Sequence, residues 1–413
     1  MIRRRDDRAI ASAGVLLAAG LVGLAAVSAV EAALGGTVWL PLHIALAGAA
    51  GTAIAAVLPF FTTALGKVAP ASPPIRIGAI GLIAGGSLVA AVGMSTGQSG
   101  LAAIGGATYI GGLAATAAAA FLPLRRALGY RPRLVDIAYL VAIGEVVLGV
   151  ALATAMLAGW SPAESDWGAL KPAHAWLNVF GFVTLVIAAS LTHLAPTVAG
   201  ARIRPRRSAS VALGALILGA PLVALGFASG WVPAGWLGAL VELVGGSALV
   251  IHGAAVQRDR GRWTSDHGWH RFAGLSLVAA PGWLLATLAI GAGRVLWLGP
   301  TPQAWDVRLV AVPLVAGWIG QVLIASWTHL VPAIGPGDQA RHAVQRQWLG
   351  RAATPRWLLW NGGVALATAG LLANAGVLVV LGGGSLGIAL ALALGLLAAS
   401  TVAGRASRST VAG

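Results

Sequence analysis

Residues 181–196 read GFVTLVIAASLTHLAP, and residues 317–332 read GWIGQVLIASWTHLVP. Aligned without a gap, they share eight of sixteen positions, including a histidine (His193, His329) and a proline three residues later (Pro196, Pro332). Extended backwards, the first copy opens on His174, whereas the second has Val310 in that place. A third stretch belongs with them: HIALAGAAGTAIAAVLPFFTTAL opens on His43 and carries Thr62 nineteen residues on, the spacing between His174 and His193. Each stretch is an apolar run of the length that crosses a bilayer, which takes about 20 helical residues.

The rest of the chain has the same character. It is 58% hydrophobic and 9% charged, against about 25% charged in a soluble domain. The short alternating strands of a membrane β-barrel are absent, and no stretch has room for a soluble domain of ordinary size. Hydropathy predicts twelve spans, at 9–33, 40–65, 75–95, 101–123, 134–159, 172–199, 209–229, 234–256, 271–291, 306–332, 356–378 and 383–404. The related stretches are then spans two, six and ten, so the sequence repeats every four spans. The expected fold is an all-α polytopic membrane protein: one domain over 1–413, with twelve transmembrane helices in three pseudo-equivalent groups of four (9–123, 134–256, 271–404). The three groups run in the same direction, unlike the inverted repeats of many transporters.

Basic residues set the expected orientation. With twelve spans, 24 of the 27 Lys and Arg fall on the side of the N-terminus, and only Lys171, Arg294 and Arg308 fall on the other. Positive loops stay in the cytoplasm, so both termini are expected there, in a multi-pass protein of the plasma (inner) membrane. The net charge of +15 is thereby read as an orientation signal, and a nucleic-acid partner is set aside. The partner the composition requires is the lipid bilayer. Tryptophans near span ends, such as Trp39, Trp160, Trp231 and Trp305 on one side and Trp348 and Trp357 on the other, fit interfacial belts. The first span is too long for a cleaved signal peptide and reads as an anchor.

There is no cysteine. A metal or haem would therefore be held by histidine, methionine, carboxylate or tyrosine. His43 and His174 lie about a turn inside the expected outer interface; a cofactor ligand and an interfacial histidine bonded to headgroups or backbone are both open there. Asn178, one turn after His174, is positioned to orient its imidazole. His193 and His329 read as helix C-terminal histidines favoured by the dipole, with metal binding as the alternative, and with Pro196 and Pro332 ending the helices. His267 and His270 have a metal-binding spacing without further ligands. Glu145 and Glu242 fall in the middle of spans five and eight, where a charge costs roughly 3 kcal/mol even on lenient scales. They are candidates for a proton path, or for neutral acids bonded to a neighbouring helix.

The twelve-span pattern, the inside termini and the segments PLHIALAGAAGTAI, HAWLNVFGFVTLVIAASLTHLAP and GWIG (317–320) resemble subunit I of the haem–copper oxidases, most of all the cbb3-type oxidase and nitric oxide reductase branch. Twelve-helix nitric-oxide-response proteins of the NnrS type are a looser resemblance. The first resemblance implies that His43 ligates a haem and His174 a copper ion. It also implies a histidine pair on span seven and two histidines on span ten, and this chain has neither. Oxygen reduction is therefore not expected, and whether the protein is an enzyme stays open. The expected function is a degenerate oxidase-like membrane protein, with haem or copper at His43 or His174, in respiratory, nitrogen-oxide or copper physiology. The alternatives are a transporter or channel for a small solute, and a cofactor-free assembly partner of a respiratory complex.

Overall fold

A computed structural model describes residues 2–127, 129–260, 268, 270–335 and 338–406. Among them every regular element is a helix, and eleven helices are long and apolar enough to cross a membrane. The chain is a multi-pass, all-helical membrane protein in contact with lipid. The long helices are α1 (Ile2–Ala33), α2 (Trp39–Gly66), α3 (Pro73–Ser95), α4 (Ser99–Arg126), α5 (Leu134–Leu157) and α6 (Trp167–Ala199). They continue with α7 (Arg207–Ser229), α8 (Val232–Arg258), α9 (His270–Leu298), α10 (Pro302–Ala333), α11 (Ala353–Leu372) and α12 (Gly376–Ala406).

The eleven spans include every expected one except 356–378. That segment is helix α11, twenty residues long and ended by the turn at Ala373–Ala375. Arg356, Asn361 and two tryptophans dilute its hydropathy. A shorter helix, Gln339–Gly350, lies between α10 and α11, capped by the Asp338 carboxylate on the Arg341 N–H at 2.8 Å.

The chain divides into two compact units. Unit 1 comprises Met1–Ser190, Ser210–Gly245 and Gly291–Trp305, and unit 2 comprises Leu191–Ala209, Gly246–Ile290 and Asp306–Gly413. Small residues set the helix spacing within each, as is usual where lipid supplies no hydrophobic drive between helices. In unit 1, α3 and α4 approach backbone to backbone: a Cβ on Gly86 would lie 2.6 Å from the Tyr109 nitrogen, and one on Gly112 would lie 2.8 Å from the Ile83 nitrogen. In unit 2, α11 and α12 do the same at Gly370, where a Cβ would lie 2.7 Å from the Val379 nitrogen. There the indoles add polar links: Trp283 Nε1 donates to Asn361 Oδ1 at 2.8 Å, and Trp360 Nε1 to the Ala316 carbonyl at 3.0 Å.

Pro196 and Pro332 do not end their helices. α6 runs on to Ala199, and α10 to Ala333. Each proline sits within the last turn, so the single N–H bond it forfeits and the kink it imposes fall at the helix end, and the Thr197 hydroxyl bonds back to the His193 carbonyl at 2.8 Å.

Candidate functional site

The three related helices share a backbone irregularity. α2, α6 and α10 each contain a π-helical segment, at Ile44–Ala50, Leu177–Thr184 and Val312–Gly320. In the alignment of α6 with α10, Thr184 pairs with Gly320, the last π residue of each. Pro41, Pro172 and Pro313 stand just before or inside these segments. Pro313 lies inside its segment, where the missing N–H removes one bond of the α ladder; Pro41 and Pro172 precede theirs, and their crowding falls on the turn before. π segments occur often at functional sites because they shift side chains out of the regular helical register.

The two candidate ligands, both in unit 1, start from different surroundings. His43 closes the first turn of α2. Its Nδ1–H donates to the Trp39 carbonyl at 2.9 Å, and its ring stacks on Trp39 with centroids 4.0 Å apart. This bond fixes the tautomer and leaves the Nε2 lone pair free. His174 donates Nδ1–H to the Gly149 carbonyl of α5 at 2.7 Å, so its lone pair is also on Nε2. The Asn178 amide nitrogen lies 3.0 Å from Nδ1 and 3.3 Å from Nε2; since the Nδ1 proton is given to Gly149, Nε2 is the ring nitrogen able to accept from it. Gly149 is what orients the imidazole, and Asn178 caps it. A Cβ on Gly149 would lie 2.6 Å from Asn178 Oδ1, so a side chain there would push the Asn178 amide aside. His43 lies within electrostatic reach of both His174 and Lys171.

Both acids are inside the protein. Glu145, on α5 one turn before Gly149, rests its carboxylate against the Gly181 backbone in the α6 π segment. Glu242, on α8, is fully buried against Gly219 of α7; a Cβ there would lie 2.7 Å from Glu242 Cγ. No protein donor comes within hydrogen-bond geometry of any of the four carboxylate oxygens. The Trp176 indole N–H faces Glu242 without reaching that geometry, and the two acids are close enough for their charges to interact. Trp176 is fully buried in an aromatic cluster, with ring centroids 4.6 Å from Phe180, 5.7 Å from Trp305 and 6.0 Å from Phe227. The structure therefore brings the sequence candidates His174, Asn178 and Glu145 together along the α5–α6 contact, with Glu242 close by and His43 at the histidine end.

No protein-family model and no curated protein matches this chain. Its chemistry has to be read from the side chains themselves. Among the described residues, no three His, Asp or Glu side chains group closely enough to hold a metal ion. At both histidines a backbone carbonyl holds Nδ1–H, which presents Nε2 as the one nitrogen able to ligate, and among the described residues no third His, Asp or Glu completes a metal site with them.

The other histidines lie in unit 2. His252 is buried, near Arg206 and His193, and the ring of His329 lies 5.6 Å from that of His270. His267, half of the spaced pair in the sequence, lies outside the described residues.

Sequence reasoning missed Gly149, Gly181, Gly219 and Trp176. Gly181 had left a signal, since it is one of the eight identities and its partner Gly317 occupies an equivalent contact. Gly149 and Gly219 look like any other glycine in a chain that has 58 of them.

Proposed function

We propose that this chain is a plasma-membrane protein with both termini cytoplasmic, built on the twelve-helix plan of haem–copper oxidase subunit I, in which Glu145 and Glu242 bind and release protons within the membrane. The charge asymmetry of the loops supports the orientation. The π segments at matched places in α2, α6 and α10 support the plan.

The observation that carries the function is the pair of buried carboxyls without donors. A charge in such surroundings costs roughly 3 kcal/mol or more, and something must offset it. A metal ion needs several oxygens around an open space, and Glu145 is instead pressed on the backbone of Gly181. A proton needs no space. Both acids are accordingly neutral at rest, and acids held neutral beside each other can take up and hand on protons. Gly181 and Gly219 are positioning residues in this reading, because any side chain there would push the carboxyls away.

The test is infrared spectroscopy of the reconstituted protein. Bands of protonated carboxyl groups are expected in the wild type. Glu145→Gln and Glu242→Gln should each remove one, and the double variant both. Spectra of the double variant that still carry both bands would overturn the proposal.

A further inference from the structure

We propose that the acid pair is loaded from the outer side of the membrane, with His174 as the group that accepts the proton and Asn178 as a latch over it. This rests on the reading of Glu145 and Glu242 as proton-binding acids. It is carried by the stepwise contacts of α5 with α6.

Three successive turns of α6 meet two turns of α5. His174 bonds the Gly149 carbonyl, Asn178 packs on the Gly149 backbone, and Gly181 receives Glu145. Burial deepens in the same order: Lys171 is exposed, His174 and Asn178 are half-buried, and Glu145 is enclosed. In the opposite direction the next turn of α5 carries Ala142 and Ile143, both buried. The polar pair beyond it, Tyr139 and Ser190, is bonded to itself at 3.0 Å. The polar steps thus lead from Glu145 towards His174 and are interrupted on the other side.

The latch follows from a bond that is missing. With His174 neutral, the Asn178 amide nitrogen covers the Nε2 lone pair, and Asn178 Oδ1 is left buried without a donor. A proton arriving from outer-side water forms an N–H bond at Nε2 and uses that lone pair. The amide nitrogen then has nothing to donate to. Turning the amide over brings Oδ1 to the new N–H and satisfies both groups. When Glu145 is ionised, the Nε2–H bond breaks, an O–H bond forms on the carboxylate, directly or through a water, and His174 returns to its starting tautomer. The titratable groups around this entrance, besides His174, are His43 of α2 and Lys171 on α6 itself, which lie within electrostatic reach of each other.

The experiment uses the reconstituted full chain in vesicles of known orientation, with an alkaline step applied to one face in impermeant buffer. The protonated-carboxyl band assigned to Glu145 is followed with time. It should fall rapidly when the outer face is stepped and slowly when the inner face is. His174→Ala should slow the outer response by about tenfold or more, in keeping with loss of a proton-transferring side chain, while the resting band persists. Imidazole in the outer buffer should restore the rate, which a structural role would not allow. Asn178→Leu should slow it to a lesser degree. Faster response from the inner face, or an unchanged outer rate in His174→Ala, would overturn the loading route alone. Absence of any band lost in Glu145→Gln would instead remove the proposed function beneath it.

Discussion

α6 and α10 are two copies of one helix, and they treat the same gap differently. Both bulge into a π segment that ends at aligned residues, and both place a glycine, Gly181 or Gly317, in that bulge. The side chain entering the gap comes from the preceding long helix in each case: Glu145 of α5 in one, Trp283 of α9 in the other. Trp283 is satisfied there, since its indole donates to Asn361. Glu145 finds no donor. The copy without the opening histidine fills its gap with an aromatic side chain whose N–H is bonded, and the copy with His174 holds an orphan acid. The bulge is therefore a property of the shared backbone, and the chemistry is set by the neighbour that enters it.

The largest expected effect tests the gap itself. A Cβ at position 317 would lie 2.7 Å from Trp283 Cγ and 2.8 Å from its Cβ, atoms too near the backbone to swing aside. Gly317→Ala should lose about 2–3 kcal/mol, at the upper end for overpacking, and Gly181→Ala about 1 kcal/mol, because it meets the free end of Glu145. Unfolding in detergent measures both, and the reverse order would show that the two gaps are not built as described.

A smaller effect concerns the bond made in one copy only. Trp283→Phe leaves Asn361 Oδ1 without its donor and should cost about 1 kcal/mol, in the range of side-chain bonds between membrane helices. Glu145→Gln breaks no bond and should leave stability nearly unchanged. Equal losses in the two variants would remove the distinction between a bonded and an orphan partner.

The smallest effect lies where the copies leave the membrane. After α6, Arg206 donates to Asp259 at 2.5 Å and Arg204 joins it, whereas the α10 exit is held by the Asp338 cap. The hydrogen bond from Arg206, and then the charge of Arg204, hold the Asp259 carboxyl below the usual carboxylate range. A depressed acid contributes stability above its unfolded pKa of about 3.9, and that contribution disappears as pH falls through the folded value. Asp259→Asn should thus differ slightly from wild type at neutral pH and low salt, and match it in acid or high salt. Exposed pairs contribute little. A difference that survives high salt would mean that Asp259 acts through something other than charge.

Much of this was legible in the sequence. The loss of a histidine at Val310, the kinship of α2, α6 and α10, and the mid-span positions of Glu145 and Glu242 can all be read from spacing. The role of Asn178 was only half legible. Four-residue spacing put it beside His174, but Gly149, twenty-five residues earlier on another helix, holds the ring and turns Asn178 into a cap. The continuation of α6 past Pro196 was hidden as well, because the effect of a proline depends on how many bonds of the helix remain beyond it.

The sequence by itself determined that the chain lives in a bilayer and that α10 repeats α6 over sixteen residues. Hydropathy adds residue by residue against a uniform solvent, and these two segments match at half their letters. The tertiary structure alone decided which glycine receives which side chain. A contact between helices depends on rotation about their axes, and each π bulge holds one extra residue, which turns everything beyond it by roughly 100°. The nineteen-residue spacing that relates His43 to Thr62 and His174 to His193 runs through such a bulge. Regular helical periodicity does not carry across it, so the meeting of Glu145 with Gly181 exists only once the helices are packed.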